Sequence, residues 1–187
     1  MKNLILILTL FICSNHYGQN ISTNYELDKA HSRLGFKIKH REIVDVNGEF
    51  SSFNLDFKLN EIDWKTCVIN LNAKSSSINT GIENRDNHLK SEDFFDAENY
   101  PEIIFKSNSV SKRKNKISIT GNLTMHGITK NVTFSGVVAG PIDSKNGKVI
   151  GLQLSGPVKR SDFKIGKVSP GLADEVFLHA DIEMVSE

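Results

Sequence analysis

The sequence predicts an all-β fold, an antiparallel barrel or sandwich of eight or nine strands, on three observations. Apolar residues recur every second position through most of the chain, as expected of strands with one face on a core. Short turn signals separate these runs, Asn146-Gly147 being the strongest hairpin signal. Only one stretch, about residues 80–99, abandons the alternation.

The N-terminus precedes the fold. Met1-Lys2-Asn3 followed by the apolar run Leu4 to Ile12 is one positive charge and a run of about nine residues, half what a bilayer span needs. This predicts a cleaved secretory signal over residues 1–19 and one domain over 20–187 in a periplasmic or secreted location. Ile12 stands where a small residue should precede a lipidated Cys13, which argues against a lipoprotein anchor. No later stretch is long and apolar enough to span a membrane, so the expectation is a soluble mature chain without a transmembrane segment. Losing Lys2 leaves 22 basic against 22 acidic residues, a balance that argues against nucleic acid as a partner. One cysteine, Cys67, remains and closes no internal disulfide, so stability rests on the core.

Taken in order, Leu34, Phe36 and Ile38 alternate with Arg33, Lys37 and Lys39, and Val44, Val46 and Phe50 form the next face. The parity then switches at Ser51-Ser52, a bulge signal, before Phe53, Leu55, Phe57 and Leu59. Cys67, Ile69, Leu71 and Ala73 share a face, and Ile103 with Phe105 another. After a turn at Lys114-Asn115 come Ile117, Ile119, Gly121, Leu123 and Met125, then Val132, Phe134, Gly136 and Val138. Ile150, Leu152, Leu154 and Val158 follow, and Val176, Leu178, Ala180, Ile182 and Met184 close the series. Within 80–99, Thr80 is placed to cap a short helix carrying Ile82, Arg85, Asp86 and Leu89, and Ser91 a second turn. Phe94 and Phe95 end this crossover, where they would plug one end of a barrel. Pro101 is expected to start the next strand.

Signals for chemistry are sparse. His31, His40, His88, His126 and His179 include no HExxH pair or tight cluster, so no metal site is expected. No GxSxG elbow, Walker loop or GxGxxG fingerprint occurs. Cys67 falls on a core face, where a thiol behaves as a small hydrophobe. Arg85 and Asp86 read as anchors of the short helix to the barrel rim rather than as catalytic groups. The 11 phenylalanines are the informative group, although an eight-stranded barrel can equally be packed solid or hold one ligand.

Ordered blocks then become recognisable. Asp28-Lys29-Ala30-His31-Ser32-Arg33-Leu34-Gly35-Phe36, His40 and Gly48-Glu49-Phe50 resemble the opening of the YceI-like family of lipocalin-like, polyisoprenoid-binding exported proteins. Ile78-Asn79-Thr80-Gly81, Arg85-Asp86, His88-Leu89, Ser91, Asp93-Phe94-Phe95-Asp96, Tyr100-Pro101 and Phe105-Lys106-Ser107 continue the likeness. So do the run from Gly121 to Lys130 and Arg160-Ser161-Asp162-Phe163. The resemblance implies an extended eight-stranded antiparallel lipocalin-like barrel with a helical crossover. It also implies a bound isoprenoid or fatty lipid, such as an isoprenoid quinone or polyprenyl lipid, held for storage, transport or stress response, with no cofactor required and no catalytic residue. A homodimer is suggested by the family likeness alone. Two departures stand out: Lys164 follows Phe163 where the family usually has Gly, and Phe53-Asn54-Leu55 lacks the customary Gly.

On this reading Leu34, Phe36, Ile38, Phe50, Leu71, Phe105, Leu123 and Phe134 line a lipid tunnel, with Phe94 and Phe95 near the crossover. Two readings compete with it: a lipid-modifying enzyme using Asp86, His88 or His126, and a ligand-free structural stress protein with a filled barrel.

Overall fold

A computed structural model describes residues 22–60 and 63–186. The expected leader and its cleavage site lie outside the described residues. Ten β-segments follow in order: β1 (Thr23–His40), β2 (Val44–Phe50), β3 (Phe53–Leu59), β4 (Val68–Lys74), β5 (Ile78–Asn79), β6 (Glu102–Arg113), β7 (Lys116–Met125), β8 (Ile128–Ser144), β9 (Gly147–Lys159) and β10 (Leu172–Ser186). One α-helix, α1 (Glu83–Lys90), lies between β5 and β6.

These segments make eight barrel strands, because two strands are broken. β2 and β3 are one strand interrupted at Ser51-Ser52, where the parity switch predicts a bulge. β4 and β5 are another, interrupted by a 3₁₀ turn at Ser75–Ser77. Neighbours pair antiparallel from β10 through β9, β8, β7, β6, β4 and β3 to β1, and β1 pairs with β10 to close the ring. The result is a closed eight-stranded antiparallel barrel with one short helix.

The alternating residues point inward. Phe57, Leu59, Ile119, Ile150, Leu152 and Met184 are essentially inaccessible, and Cys67 and Ala73 are buried as their face requires. Each turn has a local cause. His126-Gly127 joins Met125 to its partner Ile128 with both residues at positive φ, the geometry of a primed hairpin turn that matches strand twist. The β8–β9 turn consists of Lys145 and Asn146, with Gly147 already paired to Ser144, so it sits one residue earlier than the Asn-Gly signal places it. Lys164, at φ 55, occupies the left-handed cap after a 3₁₀ turn over Arg160–Phe163, a conformation that glycine adopts most readily.

The crossover differs from expectation in its cap. Ile82, not Thr80, is the N-cap of α1 and makes no side-chain capping bond. Thr80 is instead a hub: its N–H and Oγ1 donate to Asp86 Oδ1 at 2.8 and 2.5 Å. It also accepts from Arg85, whose Nε donates to Oγ1 at 2.7 Å and whose Nη2 donates to the Thr80 carbonyl at 2.9 Å. Both side chains thus tie α1 to the end of β5. Ser91 follows the helix as its C-cap and accepts from the Asp93 N–H at 3.4 Å. Pro101 lies one residue before β6, its carbonyl accepting from the Ser75 N–H.

Candidate functional site

Two apolar cavities lie within the barrel. The larger, about 440 Å³, sits at the crossover end and is walled by β1, β2, β5, α1, the segment after it, and the chain around Arg160–Leu172. The smaller, about 90 Å³, lies deeper between β1, β3, β4, β6, β7, β8, β9 and β10. Phe50, Met125 and Leu178 line both and form a waist between them.

All ten residues singled out from the sequence stand on these walls. Phe36, Ile38, Phe50, Phe94 and Phe95 face the larger cavity. Leu34, Leu71, Phe105, Leu123 and Phe134 face the smaller, which Phe50 also touches. Their rings pack edge to face around the space: Phe50 on Phe95 with centroids 5.7 Å apart, and Phe105 on Phe134 at 5.4 Å. Gly48 lets the Phe36 ring lie flat on β2, since a Cβ there would come within 2.3 Å of it.

One edge of the larger cavity is polar. Thr80, Arg85, His40, His88 and Arg160 border it, and among the described residues no carboxylate does. Arg160 is 4% exposed. Its Nε donates to the Ala173 carbonyl at 2.8 Å, Nη1 to Ile165 at 3.1 Å and Nη2 to Leu172 at 3.1 Å. A buried charge needs such partners. These bonds fold the segment after Phe163 over the cavity, so that Ile165 and Leu172 become wall residues. In the sequence Arg160 stands within the Arg160-Ser161-Asp162-Phe163 block, a cation between a core strand and a core Phe, and its role shows only in the fold.

The groups weighed for catalysis are engaged separately. Asp86 is buried and accepts from Thr80. His88 packs edge-on to Phe94 and contacts Asp93 Oδ2 at 3.3 Å. His126, fixed in its turn, lies against Tyr100 with Nδ1 3.2 Å from the Phe163 carbonyl oxygen. Burial pushes the Cys67 thiol up to about 12, which leaves it protonated and unreactive at neutral pH. Asp28, His31 and Glu183 form a surface group whose ligand atoms lie within 4.8 Å of one another. The sequence hides it because Glu183 comes from the last strand. His31 Nδ1 lies 2.9 Å from Asp28 Oδ2, which holds the Asp28 carboxyl below and the His31 imidazolium above their ordinary values. Among the described residues no helix is long and apolar enough to cross a membrane.

The YceI-like domain matches residues 25–184. Protein YceI of Escherichia coli O157:H7 is 32% identical over 190 residues, spanning the whole of both chains. The crystal structure of the Campylobacter jejuni YCEI protein superposes with a TM-score of 0.73 at 35% identity, covering 87% of this chain and 97% of that one. A polyisoprenoid binding domain from Saccharophagus degradans shares the fold at a TM-score of 0.61 and 13% identity, over 88% of this chain and 99% of that one. With nearly all of the described barrel matched, the chain belongs to the YceI-like family.

Proposed function

We propose that the protein holds a long apolar lipid, isoprenoid or fatty, with its tail in the two cavities and its polar end at the Thr80/Arg85/Arg160 edge. The observation that carries this reading is the pair of apolar spaces in line within one barrel, joined at a waist of three side chains. A cavity of about 440 Å³ lies in the range of small-molecule sites, and its walls offer little to hold water. Burying ten chain carbons is worth on the order of 8 kcal/mol before the cost of ordering them, so binding needs no covalent chemistry. The polyisoprenoid binding domain of Saccharophagus degradans, which shares the fold, supports the ligand class.

The role is binding for storage or transport rather than catalysis, consistent with the structural engagement of Asp86, His88 and His126. The N-terminal run Leu4 to Ile12 supports export. Native mass spectrometry of the purified protein, with organic extraction, tests the reading: a stoichiometric quinone, polyprenyl or fatty species is expected. A bare polypeptide mass that persists after incubation with isoprenoid quinones and fatty acids would refute it and favour a filled barrel.

A further inference from the structure

The wall between β1 and the β2–β3 strand is laddered only at its two ends. Residues 23–25 pair with 57–59, and residues 35–40 pair with 44–49. Residues 26–34 and 50–56 therefore face each other with no ladder pairing between them, each segment pairing only on its far side, with β10 or with β4 and β5. On its other side β1 loses register with β10 between Asp28 and Arg33, where four residues stand opposite one. The chain bows out there in a bulge that satisfies itself locally. Asp28 Oδ1 accepts from the N–H groups of Ala30 and His31, and Ser32 Oγ bonds both the carbonyl and the N–H of Glu183. A bulge held in this way is a built feature of a strand, not a frayed one.

Two surface hollows, of about 430 and 300 Å³, open on this seam, lined by residues of its two flanking segments and of the paired ends next to them, Asn24, Tyr25, Glu49, Phe57 and Lys58. Three apolar side chains link them to the interior. Leu55 lines one hollow and the smaller cavity, while Leu34 and Phe50 line the other hollow and the smaller cavity. One ion pair spans the seam, Arg33 Nε to Glu49 Oε2 at 3.1 Å, between exposed side chains. Such a pair is weak and salt-screened. Parting the two segments at this level thus breaks no ladder hydrogen bond between them, and costs only the exposed Arg33–Glu49 pair and the displacement of apolar side chains.

We propose that this seam is a lateral opening of the barrel, through which the apolar tail of a lipid passes Leu34, Phe50 and Leu55 to reach the smaller cavity. The proposal rests on the lipid-binding reading above. It accounts for a feature that reading leaves over, a break in the ladder set directly over the deeper cavity. The flanking Lys29, Ser32, Arg33 and Asn54 keep the rim polar, so the apolar path stays covered until a chain displaces the three side chains.

The test is to tie the seam shut. In a C13S/R33C/E49C variant of the full chain, a short bis-maleimide links the two edges, and buried Cys67 stays out of the reaction. Uptake of cis-parinaric acid, and in parallel of a fluorescent farnesol derivative, is followed by stopped flow for linked and unlinked forms of the same variant. The linked form is expected to load at least about tenfold more slowly, as for closure of a gate on the binding path, and Leu55→Ala about threefold faster than wild type. The Leu55→Ala arm stands even if the cysteine variant folds poorly. Equal loading rates for linked and unlinked forms, with Leu55→Ala unchanged, would overturn the lateral route and leave lipid binding in place. No fluorescence gain with either probe in any form would overturn the lipid reading and this inference with it.

Discussion

Replacing Arg160 by methionine removes the guanidinium while keeping most of the side chain's length, and it is expected to destabilise the protein by about 3.5–5 kcal/mol. Three bonds from a charged donor are lost, to Ile165, Leu172 and Ala173. A charge-assisted bond contributes about 1.5–3 kcal/mol when its partner is left buried. Ile165 is buried and takes the full loss, whereas Leu172 and Ala173 are half-buried and their carbonyls can recruit water, so about 1 kcal/mol is assigned to each. For a domain of this size the loss corresponds to a fall in Tm of about 10 °C. Urea titration followed by the far-ultraviolet signal gives the free energy, and hydrogen exchange shows where the loosening lies, expected first in residues 164–173. Arg160→Lys should recover less than half, since one ammonium cannot serve three diverging carbonyls. A loss below about 1 kcal/mol for Arg160→Met would show that the bonds are replaced by water at no cost and that the reasoning is wrong.

Other expectations follow from the same contacts. Phe105→Gln breaks the stack on Phe134 and puts an amide on the wall of the smaller cavity, so lipid affinity should fall at least about tenfold by titration calorimetry on protein shown to be folded. Unchanged affinity would remove Phe105 from the site. Lys164→Gly relieves a left-handed backbone at φ 55 and should raise stability by about 0.5–1 kcal/mol in urea; a loss would mean the lysine side chain contributes more than its backbone costs. The Asp28–His31 pair raises the His31 value above 6.5 and lowers the Asp28 value below 3.8. Its support is therefore present between these limits, lost as pH rises through the folded His31 value and lost as pH falls through the folded Asp28 value. By NMR titration His31 should fall back toward 6.5 in Asp28→Asn, and no change would show that the pair is not formed in solution.

What the sequence made legible is what strand geometry writes locally. Period-two alternation names the inward residues because each strand side chain can face only one way, and the Ser51-Ser52 break shows as a change of parity. The placement of eight of the ten wall residues follows from the same periodicity, since inward positions of a barrel are the only ones available to a central cavity, while Phe94 and Phe95 are placed by the break in it at the crossover. Contacts made at a distance were not legible. Asp86 turning back to Thr80 takes the capping role from that residue, and nothing in the spacing of the two announces it. Arg160 finds its partners in backbone carbonyls, which carry no side-chain signature. The waist and the interrupted β1 ladder depend on registers among strands far apart in sequence.

The pairing of β1 with β10 also sets the order in which the molecule can be made. Ser32 and Glu183, bonded across that seam, are 151 residues apart, whereas the hairpins β6–β7, β7–β8, β8–β9 and the β9–β10 pair bring together strands adjacent in sequence. Non-local pairing carries the larger chain-closure entropy and forms late. Until the last strand arrives, the chain is an open trough with two bare edges and an uncovered apolar floor, the form most exposed to aggregation. A chain cut before Leu172 would keep that form permanently.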